Sequence, residues 1–357
     1  MPVASISLAR PLEEISDELG RSFGEYGFAV VRDHGIPQDL IDQAEDMAKA
    51  FFALPEEVKR GYHIPGGGGA RGYTAFGTEI AKDAKVHDLK EFWHVGRTLP
   101  AGHRLAAFMA PNVWPAELPG FRETFEQLYL EFEKAGGRIL TAIAMHLGLA
   151  PDYFVDTVKD GNSVMRLLHY PPLPADAPEG AIRAAAHGDI NTITLLLGAE
   201  EAGLQLLNKQ GEWLNVSPPK GALAVNIGDM LDRLTNSRLR STTHRVVNPS
   251  SERARHSRYS MPFFLHFRPD FLIEALPQCV APGEVPQPPI TAHEFLQKRL
   301  REIGLACVAL IGPNRFADSV PRGPANRNER GVTPLYVLQR SNGCGGNQLT
   351  RLLVFFL

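Results

Sequence analysis

The sequence predicts an α+β protein whose core is a double-stranded β-helix (jelly roll) flanked by N-terminal and scaffold helices. Three observations predict it. Residues 204–267 break into short β-rich segments punctuated by Asn208-Lys209-Gln210-Gly211 and Pro218-Pro219-Lys220-Gly221, the pattern of a sheet turned by tight loops. Three segments, 12–25, 38–53 and 117–147, place apolar residues at helical spacing. Between them, Ala186 to Gly198 reads as a strand: Ile193, Leu195 and Leu197 alternate with Thr192, Thr194 and Leu196, and β-branched residues dominate.

Taken in order, Leu12, Ile15, Leu19 and Phe23 recur every three or four residues and predict the first helix. Phe28-Ala29-Val30-Val31 follows as a short buried strand, closed by Asp33-His34-Gly35, where His34 reads as a turn cap rather than a ligand. Leu40, Ile41, Ala44, Met47 and Phe51 share one face of the second helix. Gly66 to Gly69 are four consecutive glycines with maximal backbone freedom, and the stretch from Pro65 to Tyr73 reads either as a plain mobile loop or as a lid, since closure over a site needs such hinges. Within Lys90 to Val95, His94 reads as a packing residue rather than a ligand. The helix over 117–147 carries Phe121, Phe125, Leu128, Phe132, Ile139, Leu140, Ile143 and Leu147, with Gly136-Gly137 expected to weaken or kink it. Ser163 to Tyr170 is a strand ended by Pro171-Pro172, and Ala292 to Leu300 a closing helix.

Chemistry concentrates at the mouth of the 186–198 strand. His187 and Asp189 are two apart, so in an extended chain an imidazole and a carboxylate project from one face. His244, separated from Asp189 by 54 intervening residues and ahead of the β-rich Val246-Val247, is the best third ligand. Two histidines and a carboxylate cover one face of an octahedron and leave three positions open, which suits non-haem Fe(II) and O2 chemistry. Downstream, Arg258 and Ser260 also share a strand face, ahead of the apolar Met261-Pro262-Phe263-Phe264. A guanidinium in such a buried strand needs an anion, and its fork binds a carboxylate bidentately. Arg255-His256-Ser257 repeats the same Arg-x-Ser spacing; the register running into the apolar strand favours Arg258, and leaves His256 in a hairpin loop.

Composition narrows the class. With 357 residues, 44% of them hydrophobic, the chain can bury a sizeable core. A net charge of −3 without a basic run argues against nucleic acid or a membrane surface as partner. Cys279, Cys307 and Cys344 form no paired framework, and neither a signal peptide nor a ~20-residue apolar span is present. We expect a cytoplasmic monomer acting on a small molecule.

At these residues the chain resembles the Fe(II)/2-oxoglutarate-dependent dioxygenases of the isopenicillin N synthase-like family. His187-x-Asp189, His244 and Arg258-x-Ser260 match its pattern in order and spacing, and so do Gly203-Leu204-Gln205-Leu206, Asn226-Ile227-Gly228-Asp229-Met230 and Thr243 to Asn248. Ser22 to Phe28 and Asp33 to Pro37 resemble the family's N-terminal region. The resemblance covers residues 1 to about 304. It implies an N-terminal region over 1–110, a jelly-roll region over 111–304 and an atypical tail over 305–357; from Gly312 onward six arginines meet only two acids and no period is clear. It further implies His187, Asp189 and His244 as catalytic Fe(II) ligands, Arg258 and Ser260 with Tyr170 as the 2-oxoglutarate site, O2 as oxidant, and Tyr73, Glu79 and Arg166 as substrate contacts. Leu168-His169-Tyr170-Pro171 departs from the Asn-Tyr-Tyr-Pro of many plant relatives around that tyrosine. The implied reaction is hydroxylation, desaturation or cyclisation of a small molecule with release of succinate and CO2. Three alternatives stay open: an ethylene-forming enzyme using arginine, a 2-oxoglutarate-independent oxidase of the isopenicillin N synthase type, and a catalytically silent binding protein on the same fold.

Overall fold

The computed structural model describes residues 3–302 except 66, 68, 79–87, 174–181, 199–202 and 250–252. The first third of the chain contains β1 (Ser5–Ser7), α1 (Leu12–Tyr26), β2 (Phe28–Arg32), α2 (Gln38–Phe52), α3 (Glu56–Arg60), β3 (Gly72–Thr74) and β4 (Glu91–Gly96). Then come α4 (Phe121–His146), α5 (Val155–Val158), β5 (Val164–Tyr170), β6 (Ala184–His187), β7 (Ile193–Leu197), β8 (Leu204–Leu207), β9 (Trp213–Asn215) and β10 (Leu223–Ile227). The remainder is α6 (Asp229–Leu234), β11 (His244–Val246), β12 (Arg258–Leu265), β13 (Leu272–Ile273), β14 (Ile290–Thr291) and α7 (Ala292–Glu302).

Two sheets make the jelly roll. The larger has the order β1-β2-β10-β7-β12-β5-β4-β3, the smaller β6-β11-β8-β9. Every pairing in them is antiparallel except β1 with β2. β1 to β4 come from residues 1–110, yet hydrogen-bond into the same sheet as the later strands.

Strand alternation sorts the side chains into two layers. On β12, Met261, Phe263 and Leu265 join the main core with Phe125, Leu128, Phe132 and Ile139 of α4 and with Leu19 and Phe23 of α1. The intervening Arg258, Ser260, Pro262 and Phe264 line a pocket on the opposite face. A second cluster, including Phe28, Val30, Leu204, Leu206, Ala224 and Val246, fills the space between the sheets. Burying a Leu or Phe side chain contributes roughly 1.5–3 kcal/mol, so these two clusters hold the pocket walls in register.

The long helix runs unbroken through Gly136-Gly137. The expected weakening has a packing reason instead: a Cβ at Gly136 would come within 2.5 Å of Leu265 Cδ1, so the glycine lets α4 sit close on β12. At the end of α1, Gly27 adopts φ 68°, and its N–H donates to Phe23 O at 2.9 Å. His34 caps its turn: Nε2 faces Gly221 O at 2.8 Å and Nδ1 accepts from Ile36 N at 3.2 Å. Cys279 is a free, half-buried thiol, while Cys307, Cys344, Glu79 and the tail over 305–357 lie outside the described residues. Among the described residues no helix is long and apolar enough to cross a membrane.

Candidate metal centre

β6 and β11 pair so that His187 and His244 are direct Cα partners, which sets their rings 4.4 Å apart. Asp189 enters from the turn between β6 and β7. That turn is clamped by the β10–α6 corner, where Asp229 N donates to Asp189 O at 2.7 Å and Gly228 N to Thr192 O at 3.0 Å. One ligand atom from each of His187, Asp189 and His244 lies within 4.8 Å of the others.

The hydrogen bonds around the cluster assign each donor a direction. His187 Nδ1 sits 2.6 Å from Ala185 O, and His244 Nδ1 3.0 Å from Thr242 O. A carbonyl only accepts, so each Nδ1 carries a proton, and Nε2 is the nitrogen of each ring that can offer a lone pair to a metal. Burial and the adjacent His244 push His187 down to about 3, so the ring is neutral at pH 7. Asp189 Oδ2 accepts from Asn226 Nδ2 at 2.7 Å and from the Thr194 hydroxyl; Oδ1 is buried with no hydrogen-bond partner. Burial alone would raise this carboxyl, but His244, His187 and the bonds from Asn226 and Thr194 outweigh it and hold it below the usual range. A cation accounts for all of this at once: two bare imidazole nitrogens and one orphaned carboxylate oxygen converge on a point where a buried unpaired charge would otherwise be costly. The donor set of nitrogen and oxygen fits Fe(II).

Farther along the same pocket, Arg258 is 1% exposed. Its Nη1 donates to Ser260 Oγ at 3.2 Å and Nη2 to Gly198 O at 3.5 Å, while Nε has no partner. Among the described residues no carboxylate meets this guanidinium, which lies 5.1 Å from the ring centre of Tyr170, its cross-strand neighbour. Arg255, the competing Arg-x-Ser, is exposed on a 3-10 turn. The pocket is closed by Phe28, Leu196, Leu204, Val246 and Phe264 and carries Lys90 and Arg166 on its wall. Lys90 is ion-paired with Asp88 at 2.9 Å. Arg166 Nε donates to His94 Nε2 at 2.6 Å and its guanidinium stacks 4.3 Å from the Phe92 ring centre.

Tyr73 is parted from this group. β3 pairs it with Trp93, so alternation turns it to the helix-facing side, where its hydroxyl donates to Glu91 and lies 3.2 Å from Glu56. It does not line the pocket, so the expected substrate contact at Tyr73 is corrected to a core position. Glu79 lies outside the described residues. Sequence reasoning gave no role to Thr194 and Asn226, which are direct Cα partners on β7 and β10 and converge on one carboxylate oxygen. Asn226 stood within a matched motif, yet nothing local linked it to Asp189.

Comparison with known proteins places this geometry. Residues 1–117 match the family model for the N-terminal region of a non-haem dioxygenase in morphine synthesis, and residues 161–267 match the 2OG-Fe(II) oxygenase superfamily. A 2-oxoglutarate-Fe(II) type oxidoreductase of Emericella nidulans is 37% identical over 283 residues, spanning 76% of this chain and 79% of that protein. A 2-oxoglutarate-dependent dioxygenase of Didymella fabae is 32% identical, over 80% of this chain and 88% of its own length. Among solved structures, a 2OG-Fe(II) oxygenase family protein of Caulobacter crescentus is 55% identical with TM-score 0.79, covering 84% of this chain and 99% of that one. A Neurospora crassa protein solved with alpha-KG and thymine is 28% identical with TM-score 0.75, covering 84% and 96%. The chain belongs to the 2OG-Fe(II) oxygenase superfamily, a family of oxidoreductases that use Fe(II), 2-oxoglutarate and O2 on a jelly-roll core.

Proposed function

We propose that His187, Asp189 and His244 hold Fe(II), that Arg258, Ser260 and Tyr170 receive the distal carboxylate of 2-oxoglutarate, and that the chain oxidises a small organic molecule beside them. The observation that carries this reading is a pairing within one pocket: a converging His-Asp-His cluster at one end and, at the other, a buried guanidinium that meets no carboxylate among the described residues. Bound Fe(II), with 2-oxoglutarate and O2, supplies the oxidising power, and succinate and CO2 leave. The protein's part is positional. Asn226 and Thr194 turn Asp189 Oδ1 toward the metal position, and the backbone carbonyls facing both Nδ1 atoms orient the imidazoles with Nε2 inward. Arg258 and Ser260 orient the co-substrate, since a fork and a hydroxyl fix a carboxylate more tightly than a point charge does. The apolar walls exclude water, and Arg166 stands where a substrate could meet it.

The Neurospora relative's thymine supports a small-molecule substrate of comparable size. The test is Fe(II)-dependent succinate release from 2-oxoglutarate, together with the visible charge-transfer band expected when 2-oxoglutarate is added to anaerobic Fe(II) protein. Absence of both overturns the reading.

A further inference from the structure

A second cavity of about 120 Å³ lies next to the metal pocket and plays no part in the account above. Arg71, Asn162, His266, His293 and Gln297 supply its polar lining, and Phe264 is a wall of both compartments. The two are consecutive along one sheet face. On β12 and just beyond it, Arg258, Ser260, Pro262 and Phe264 line the metal pocket, whereas Phe264 and His266 line the second cavity. On β5, Arg166, Leu168 and Tyr170 belong to the first and Val164 to the second.

Arg71 is the unexplained group. It is 3% exposed, and among the described residues its one hydrogen bond runs from Nη1 to Ala70 O at 2.6 Å. Nε and Nη2 have no partner, and among the described residues no carboxylate is paired with the side chain. Burial lowers this guanidinium only to about 10, so it remains a cation at neutral pH. An isolated buried charge is costly enough that proteins pair it. The two orphaned nitrogens form the side-on edge of the fork, whose parallel N–H groups match the two oxygens of a carboxylate. They are packed against Gly96, where a Cβ would come within 2.2 Å of both, so pairing requires the guanidinium to turn from Gly96 toward the cavity that Arg71 lines, breaking the bond to Ala70 O. The rest of the lining opposes no anion. His266 is pushed down to about 4 by burial and is neutral; its Nδ1 lies 3.0 Å from Phe264 O, which leaves Nε2 as an acceptor for a ligand hydroxyl. Asn162 and Gln297 are neutral amides.

We propose that this cavity anchors the acid group of the oxidised substrate, an organic carboxylate that pairs with Arg71 while its carbon skeleton passes Phe264 toward the metal pocket. The assignment of that carboxylate as the substrate rests on the reading of the metal pocket given above; the anion site itself does not.

The test titrates the full-length protein, loaded with Mn(II) and 2-oxoglutarate, with a panel of two- to ten-carbon aliphatic and aryl carboxylates, each beside its methyl ester, and with inorganic phosphate. Binding is followed by calorimetry and thermal shift. At least one acid should bind clearly better than its ester. Arg71→Met should weaken that acid roughly 10- to 100-fold, the range set by losing a charge-assisted fork, and Arg71→Lys should recover part of the loss. Without ligand, Arg71→Met should melt no lower than wild type, because it removes an uncompensated charge; a marked fall would make Arg71 a structural cation and overturn the proposal. Equal binding of acids and esters, binding unaffected by Arg71→Met, or a response to phosphate alone would also overturn it. With Fe(II) under air, the acid that binds should accelerate succinate release, and one that binds without doing so would remove the substrate role. A protein that binds neither Mn(II) nor 2-oxoglutarate would sink the metal reading, while the acid-minus-ester difference and its loss in Arg71→Met would still judge the anion site.

Discussion

Asp189 divides its carboxylate between two tasks: Oδ2 is held by Asn226 and Thr194, and Oδ1 is left bare. Removing the side chain should therefore abolish iron retention without unfolding the protein. Asp189→Ala is expected to show no stoichiometric Fe(II) by metal analysis and an unchanged far-ultraviolet spectrum. Asn226→Ala leaves all three donors in place but frees the carboxylate to rotate, so metal affinity should fall roughly 10- to 100-fold, the scale found for groups that orient metal ligands. Arg258 and Arg255 form a second residue-scale contrast. One is buried in the pocket and the other exposed on a turn, so Arg258→Gln should raise the KM for 2-oxoglutarate roughly 10- to 100-fold, and Arg255→Gln should change it little. The opposite ranking in steady-state kinetics would move the co-substrate site by three residues.

At the scale of elements, α4 tests whether glycine serves packing or merely weakens a helix. A Cβ at Gly137 meets nothing within 4 Å, whereas one at Gly136 strikes Leu265 of the core. Gly137→Ala should thus stabilise by about 0.5–1 kcal/mol, and Gly136→Ala should be neutral or destabilising; denaturant melts of the two variants compare them directly. A buried ionic knot joins α3, β3, β4 and β5: Glu91 accepts from Lys59 Nζ at 2.8 Å and from the Tyr73 hydroxyl, and lies 2.7 Å from His169 Nδ1. Burial raises the Glu91 carboxyl, but the bonds from His169, Lys59 and Tyr73 outweigh it and leave it below its ordinary value. A depressed folded-state pKa contributes stability above the unfolded value, and that stability is lost as pH falls through the folded one. Glu91→Gln should melt lower than wild type at neutral pH, because Lys59 loses a buried partner. Below about pH 4.5 the difference should shrink as the wild-type carboxylate protonates.

For the whole molecule, the two ends of the pocket are bridged by residues from both sheets, so metal and co-substrate should stabilise the assembled jelly roll rather than one segment. Mn(II) with 2-oxoglutarate, each at a hundredfold over its Kd, should each add about 2.7 kcal/mol, read as a rise in Tm that a chelator reverses. Asp189→Ala should lose the metal-dependent part, and Arg258→Gln most of the co-substrate part.

What the sequence by itself determined is whatever depends on local periodicity or short spacing. The helices of residues 12–26, 38–52 and 121–146 follow from apolar repeats of three and four, and β12 from the apolar run after Ser260. The proximity of His187 to Asp189 needs only an extended backbone, and the jelly roll needed only short strands with turn residues between them. Tertiary structure decided the rest, because it depends on which strand pairs with which. The β6–β11 register set His187 against His244 across 56 intervening residues, and the β7–β10 register brought Thr194 and Asn226 to one carboxylate oxygen. The pleat of β3 carried Tyr73 away from the pocket and into the Glu91 knot. Gly136 reads as a defect until Leu265 is seen against it, and Arg71 reads as one surface arginine among many until burial leaves its fork without a partner. Pairing register and burial are set by contacts far apart along the chain, and a one-residue shift in register reverses which face every side chain occupies.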